Sequence, residues 1–414
     1  MTTYALSYNV RLPYWSALVL MASVKVDGIP VGLLYSRTGP YAQMGVAMMN
    51  GALLAIEEIN AADFGFRLKP HAIDPGGNPL RYEEACLEMV RHHKITHLVG
   101  CYTSASRKQV LPQLMRSNAL LWHPARYEGF EACENIVYVG AAPNQHVVPL
   151  ARHMINSIGR DVFCIGSNYI WTWETNRVLR EIVETAGGAI VAERVLPFGD
   201  VDVSHLVEAV LDKRPSVVFN TLVGRSSYAF FRAWSKASAR HGFGIPILSC
   251  SLSEPELKLI GPEACVGHVT SSVYFDTVDR KENRAFVARY RKRFGKQHAP
   301  CCDAEASYVC VMLLARAIAR TGSPAVQAVL DAAYDDRYEA PSGAVWLSAR
   351  DNHCYLTPRI ALSRPDFHFD IFWQAESPVR PDPYLAGLDL SEFAKAAPSQ
   401  ALRNNAATHL RLVK

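Results

Sequence analysis

The sequence lacks a long apolar run, a paired-cysteine motif and a marked excess of either charge, and each absence removes a class of function. The apolar stretch at 15–24 (WSALVLMASV) is far too short to span a membrane, though it has the length of a signal-peptide core. The segment before it holds one basic residue, Arg11, and is broken by Pro13. No cysteine lies near it for a lipid anchor, and Ala22-Ser23 is a poor cleavage site. Residues 1–28 therefore read as the N-terminal extension of a cytoplasmic protein; the alternative is a signal peptide and a periplasmic location.

Lysine and arginine number 43 against 39 aspartates and glutamates, a formal net charge of +4, too small to leave a nucleic-acid footprint. The densest basic run, RYRKR at 289–293, reads as a solvated helix face. The ten cysteines form no CxxC pair, and several sit in strand-like apolar runs such as 162–165. A thiol there packs as a small hydrophobe, which fits a reducing compartment. His92 and His93 are adjacent and point apart on a helix, so no metal site is expected. There is no GxSxG elbow, no GxxxxGK[ST] loop and no GxGxxG after a strand, so the chain reads as no enzyme and as needing no cofactor.

What is present is a 414-residue chain, 49% hydrophobic and 20% charged, long enough for two domains. From Ile29 on, strand-length apolar runs alternate with segments of helical period, at 31–35, 42–60, 67–73, 82–93, 97–100 and 107–116. The rhythm restarts at 161–165, with a helix over 174–185 that Gly187-Gly188 ends. Repeated βαβ units imply parallel sheets, and two such halves imply two lobes with a cleft. Ligands of such folds sit beyond the carboxyl ends of the strands.

Three post-strand loops stand out. At 101–106, CYTSAS opens into a helix, where Tyr102 and Ser104 join backbone N–H groups that can seat a carbonyl or carboxylate oxygen, or the hydroxyls merely cap their own helix. At 122–129 (WHPARYEG), His123, Ala125 and Arg126 stand on one strand-end loop, with pairing of Arg126 to Glu128 or Glu131 as the plainer reading. At 167–173 (SNYIWTW), an extended loop would set Tyr169, Trp171 and Trp173 on one face as an aromatic wall; packing between lobes is the other reading.

The strings GCYTSASRK (100–108), YEGFE (127–131), GAAPNQ (140–145), SNYI (167–170), DNH (351–353) and RPDPY (380–384), with DPGGNP (74–79), resemble the amide-binding sensor family that regulates aliphatic amidase operons, and its urea- and branched-chain amino-acid-binding relatives. The resemblance runs from about Ile29 to Tyr384. It implies a type I periplasmic-binding-protein fold, with lobe 1 at 29–146 plus 276–340, lobe 2 at 147–275 plus 341–385, and a peripheral tail at 386–414. It also implies a ligand held by Tyr102, Ser104, Tyr169 and Trp171, with Ser104 and nearby N–H groups on its carbonyl oxygen. His123, Ala125 and Arg126 depart from the family's tyrosine, threonine and proline. An unpaired Arg126 facing the cleft asks for a carboxylate, and an outward Arg126 leaves a short amide or urea. The implied partners are a small ligand and an RNA-binding antiterminator, with no direct nucleic-acid contact and no membrane insertion, and with homo-oligomer formation left open. The alternative is a substrate-binding receptor of an ABC transporter.

Overall fold

The computed structural model describes residues 28–334 and 336–394. The expectations for 1–27 and 395–414 lie outside the described residues. One sheet takes β1 (Ile29–Leu34), β2 (Leu68–Ile73), β3 (His97–Gly100), β4 (Leu120–His123) and β5 (Ile136–Tyr138), all parallel, in the order β2-β1-β3-β4-β5. A second contains β6 (Asp161–Ser167), β7 (Ala189–Leu196), β8 (Val217–Thr221), β9 (Ile247–Ser249) and β10 (Val269–Ser272). Three short strands, β11 (Tyr338–Ala340), β12 (Gly343–Leu347) and β13 (Cys354–Tyr355), form a separate small sheet. Then β14 (Arg359–Ser363) and β15 (Phe369–Gln374) return antiparallel to the second sheet, whose order is β15-β14-β10-β9-β8-β6-β7. Strands β3, β4, β5 and β8 are buried along their whole length, as parallel strands covered on both faces must be.

The helices are α1 (Ala42–Ala61), α2 (Pro79–Leu87), α3 (Ser104–Ser117), α4 (Val147–Ser157), α5 (Ile170–Thr185), α6 (Ser204–Lys213), α7 (Arg225–His241), α8 (Glu254–Ile260), α9 (Lys281–Phe294), α10 (Cys302–Thr321), α11 (Val326–Tyr334) and α12 (Ser391–Ala394). Two apolar cores cover the first sheet, one from α1, α10 and α11 and the other from α2 and α3. Two more cover the second, from α6 and α7 on one side and α4 and α5 on the other. α1 and α10 pack backbone to backbone at Gly51, where a Cβ would stand 1.9 Å from the Ala304 carbonyl oxygen. Among the described residues no single helix is long and apolar enough to cross a membrane.

Several expectations change. Val345 and Leu347 of β12, with Cys354 and Leu356, join the first core, although 341 onward was expected in the second lobe. Phe393 of α12 is buried against the second sheet's core, so the tail is not peripheral there. The run at 289–293 lies on α9 but is not simply solvated: Tyr290 is buried, Arg289 pairs with Glu58 at 2.6 Å and Arg293 with Glu57 at 2.8 Å. All ten cysteines are free thiols, nine of them buried.

The chain passes between the sheets after β5, after β10 and before β14, and the strings at 140–145, 351–353 and 380–384 meet there. Gln145 donates from Nε2 to the carbonyls of Cys354 (3.0 Å) and Val379 (2.9 Å). Asn144 donates to the Arg380 carbonyl at 2.7 Å and accepts from the Asp382 N–H at 2.9 Å. The Tyr138 and His353 rings stack with centroids 4.1 Å apart. Residues remote in sequence are thereby tied into one hinge, which fixes how the two strand ends face each other.

Candidate functional site

The carboxyl ends of the parallel strands of the two sheets face one another across a cavity of about 290 Å³ empty volume, lined by Tyr102, Ser104, Arg126, Tyr169, Trp171, Val223 and Ser251. Each lining residue follows a strand: Tyr102 and Ser104 follow β3, Arg126 β4, Tyr169 and Trp171 β6, Val223 β8 and Ser251 β9. The topology places them there, because parallel strands with helical crossovers bring all their exit loops to one edge. The lobes are in contact around the cavity. Gly224, with φ +61°, comes so near that a Cβ would lie 2.3 Å from the Pro40 carbonyl oxygen.

Five of the seven residues singled out in the sequence meet at this cavity, and two do not. His123 ends β4 fully buried, its Nε2 3.4 Å from Arg107 Nη1 and its Nδ1 3.2 Å from the Gly100 carbonyl. The guanidinium can only donate, so Nε2 accepts and Nδ1 carries the proton toward Gly100. Burial, then Arg107, pushes the imidazole down to about 3, which keeps it neutral. Ala125 is buried in the first core. Both residues support the floor of the site.

The aromatic wall is built differently from the extended loop expected. Helix α5 already begins at Ile170, and 100° per residue turns positions 171 and 173 to opposite sides. Trp171 is 4% exposed beside the cavity, whereas Trp173 is 52% exposed and donates outward to Asn168 Oδ1 at 3.0 Å. Two other rings complete the collar. Tyr41 lies 5.3 Å from Tyr102 and 5.9 Å from Phe198, and Phe198 lies 5.4 Å from Tyr169, all between centroids. Sequence reading missed Tyr41, Phe198, Val223 and Ser251, although all four follow strands and the rule about strand ends covers them.

Below Ser104 lies a saturated charge network. Arg107, fully buried, binds Glu128 at 3.1 Å and Glu131 at 2.7 Å, with its guanidinium carbon 4.6 Å from the Tyr127 ring centre. Burial alone would raise Glu131, but Arg107 and Lys108 outweigh it and hold the carboxyl at about 2. The Ser104 hydroxyl donates to Glu128 Oε2. Its proton is therefore committed, and what Ser104 offers a ligand is a lone pair. Beside it, helix α3 opens at Ser104 with Thr103 as its cap, so the first backbone N–H groups of the helix stand next to the hydroxyl.

Arg126 faces the cavity and is paired, though with Asp303 rather than with Glu128 or Glu131, which bind Arg107 instead. Its Nη2 donates to Asp303 Oδ2 at 2.8 Å, with the two side chains 7% and 1% exposed. Burial raises the Asp303 carboxyl and Arg126 opposes this, while the second oxygen, Oδ1, has no hydrogen-bond partner. On the other lobe, burial pushes Glu256 up to about 7 although Ser253 donates to it at 2.9 Å. Arg126 lies within electrostatic reach of Glu256 as well. The cavity thus presents no uncompensated positive charge.

The sequence profile of the periplasmic binding protein domain matches residues 29–389. The chain belongs to that family. The relatives that match most of the chain are binding proteins, and the chain is a binding protein rather than an enzyme. A Leu/Ile/Val-binding protein homolog from Brucella abortus is 22% identical over 337 residues, 78% of this chain and 82% of that one. A solute-binding protein of an ABC transporter from Rhodopseudomonas palustris, solved with p-hydroxybenzoic acid, superposes with a TM-score of 0.79 at 21% identity, covering 87% of this chain and 100% of that one. A limonene hydroxylase of Geobacillus stearothermophilus is 28% identical over 126 residues, 30% of this chain, and the match spans only 23% of that protein.

Proposed function

We propose that the protein is a solute receptor of the ABC-transporter kind that closes on a small, uncharged, N–H-bearing compound such as a short amide or urea. The observation that carries this reading is the double commitment at the cavity: Arg126 is neutralised by Asp303, and the Ser104 proton is held by Glu128. A carboxylate would find Arg126, the charged residue lining the cavity, already paired with Asp303 and with Glu256 in electrostatic reach. An amide or urea supplies a carbonyl for the α3 N–H groups and an N–H for Ser104. The aromatic collar suits its small apolar end. Tyr102, Ser104, Arg126, Tyr169 and Trp171 are the ligand contacts in this proposal, with His123 and Ala125 behind them. Closure follows from tighter binding to the closed arrangement than to the open one.

A second reading, a cytoplasmic amide sensor that silences an RNA-binding antiterminator, is favoured by the strings at the hinge and the post-β3 loop. In it the ligand and the partner weaken one another by the same factor. Mass spectrometry of the protein made in its own cell separates the two: a receptor has lost its first residues to processing, and a sensor keeps Met1. A thermal-shift panel of acetamide, urea, leucine and 4-hydroxybenzoate tests the ligand class, since binding to the native state alone raises Tm. Acetamide or urea should raise it most; a shift with 4-hydroxybenzoate alone would reject the proposed class.

A further inference from the structure

Away from the cleft, on the edge of the first sheet, a second constellation is assembled by an irregularity in the backbone. Helix α2 stops at Leu87 and the chain continues as one π-helical turn over Glu88–His92. The His93 N–H reaches back five residues to the Glu88 carbonyl at 3.3 Å. In an α-helix, residues five apart stand about 140° from one another around the axis. The wider π-turn stacks them instead, and such turns recur at functional sites. Here His93 Nε2 lies 3.5 Å from Glu88 Oε1. Lys94 then takes a left-handed backbone (φ 55°), which turns the chain away directly after the histidine.

The third member comes from the neighbouring strand. His71 lies on β2, the edge strand of the first sheet, and its ring centroid is 4.0 Å from that of His93. The ligand atoms of His71, Glu88 and His93 all lie within 4.8 Å of one another. Donors around a tetrahedral zinc ion stand about 3.3 Å apart. The Glu88–His93 pair is already close to that spacing, and half-exposed side chains need only small rotations to close the rest. The sequence argued against a metal because adjacent His92 and His93 point apart on a helix; the π-turn instead brings His93 to Glu88, a pairing that reading did not consider.

We infer that His71, Glu88 and His93 form a binding site for a divalent borderline cation of the zinc class, with water on the open position. Two imidazoles and one carboxylate suit that class better than calcium or magnesium, which prefer all-oxygen shells. A bound ion would clip the edge strand β2 to the π-turn, away from the cavity between the lobes.

The test is titration of the purified full-length protein with Zn²⁺ by calorimetry, and with Co²⁺ by visible absorbance. One equivalent should bind, with a tetrahedral or five-coordinate Co²⁺ spectrum free of thiolate charge transfer. His71→Ala and His93→Ala should each weaken it at least about tenfold. Glu88→Gln should weaken it less, and His92→Ala should leave it unchanged. Circular dichroism of the unloaded variants checks that they fold, which the exposure of these side chains favours. Absence of binding, binding that survives the His71→Ala/His93→Ala double variant, a thiolate band, or an equal loss with His92→Ala would each overturn the site.

Discussion

Two arginines reach the same site from neighbouring strand-end segments, and they differ in how completely their charge is used. Arg107 sits under Ser104 with no exposure and two carboxylates on its guanidinium. Arg126 stands at the cavity wall with one carboxylate, Asp303, whose other oxygen has no partner. The first is a finished structural network. The second is balanced in charge but unfinished in hydrogen bonds. A buried ion pair is weak evidence for stability, yet removing one partner is strongly destabilising because it strands the other charge.

The comparison breaks most visibly at Arg107. Arg107→Ala strands Glu128 and should cost about 3–5 kcal/mol in urea unfolding. Arg126→Ala should cost less, because water entering the cavity can solvate Asp303. Equal costs would remove the distinction between the two arginines.

Next comes closure. Gly224→Ala places a methyl group against the Pro40 carbonyl at a position whose φ is already left-handed. The fold of each lobe should persist by circular dichroism, and affinity for the ligand found in the thermal-shift panel should fall about tenfold, roughly 1.4 kcal/mol. Unchanged affinity would mean that binding does not need this contact between lobes.

The smallest effect concerns Glu256, buried on α8 within electrostatic reach of Arg126. Its folded pKa, about 7, is raised above its ordinary value by burial. Its stabilising contribution is therefore full below about 4.5 and is lost as pH rises through about 7. Glu256→Gln does not titrate, so the Tm of the variant relative to wild type should rise between pH 5 and pH 8. A difference independent of pH would show that Glu256 is ionised throughout.

Much of the fold was legible because burial writes itself into the sequence. Strand runs such as 98–100 and 162–165 are apolar on both faces, and the alternation with helical segments gives the parallel sheets. Strand-end logic also put Tyr102, Ser104, Arg126, Tyr169 and Trp171 near one cavity. What could not be read was pairing across long separations. Asp303 lies on α10, in a different pass through the lobe from Arg126, and nothing local marks it as the counter-ion. Helix starts also failed: α5 begins at Ile170, ahead of the expected 174, so Trp173 turned outward. The strings at 140–145 and 380–384 lie in the hinge, where Asn144 and Gln145 tie distant carbonyls, and speak for the architecture, whereas those at 100–108 and 167–170 carry Tyr102, Ser104 and Tyr169 of the cavity.

The most direct measurement is calorimetric titration of wild type and Asp303→Asn with acetamide and with acetate. If Arg126 is neutralised at the cavity, wild type binds acetamide in preference to acetate, and Asp303→Asn, which frees the guanidinium, shifts the preference toward acetate. Wild type that already prefers acetate, or a preference that Asp303→Asn leaves unmoved, would contradict the account.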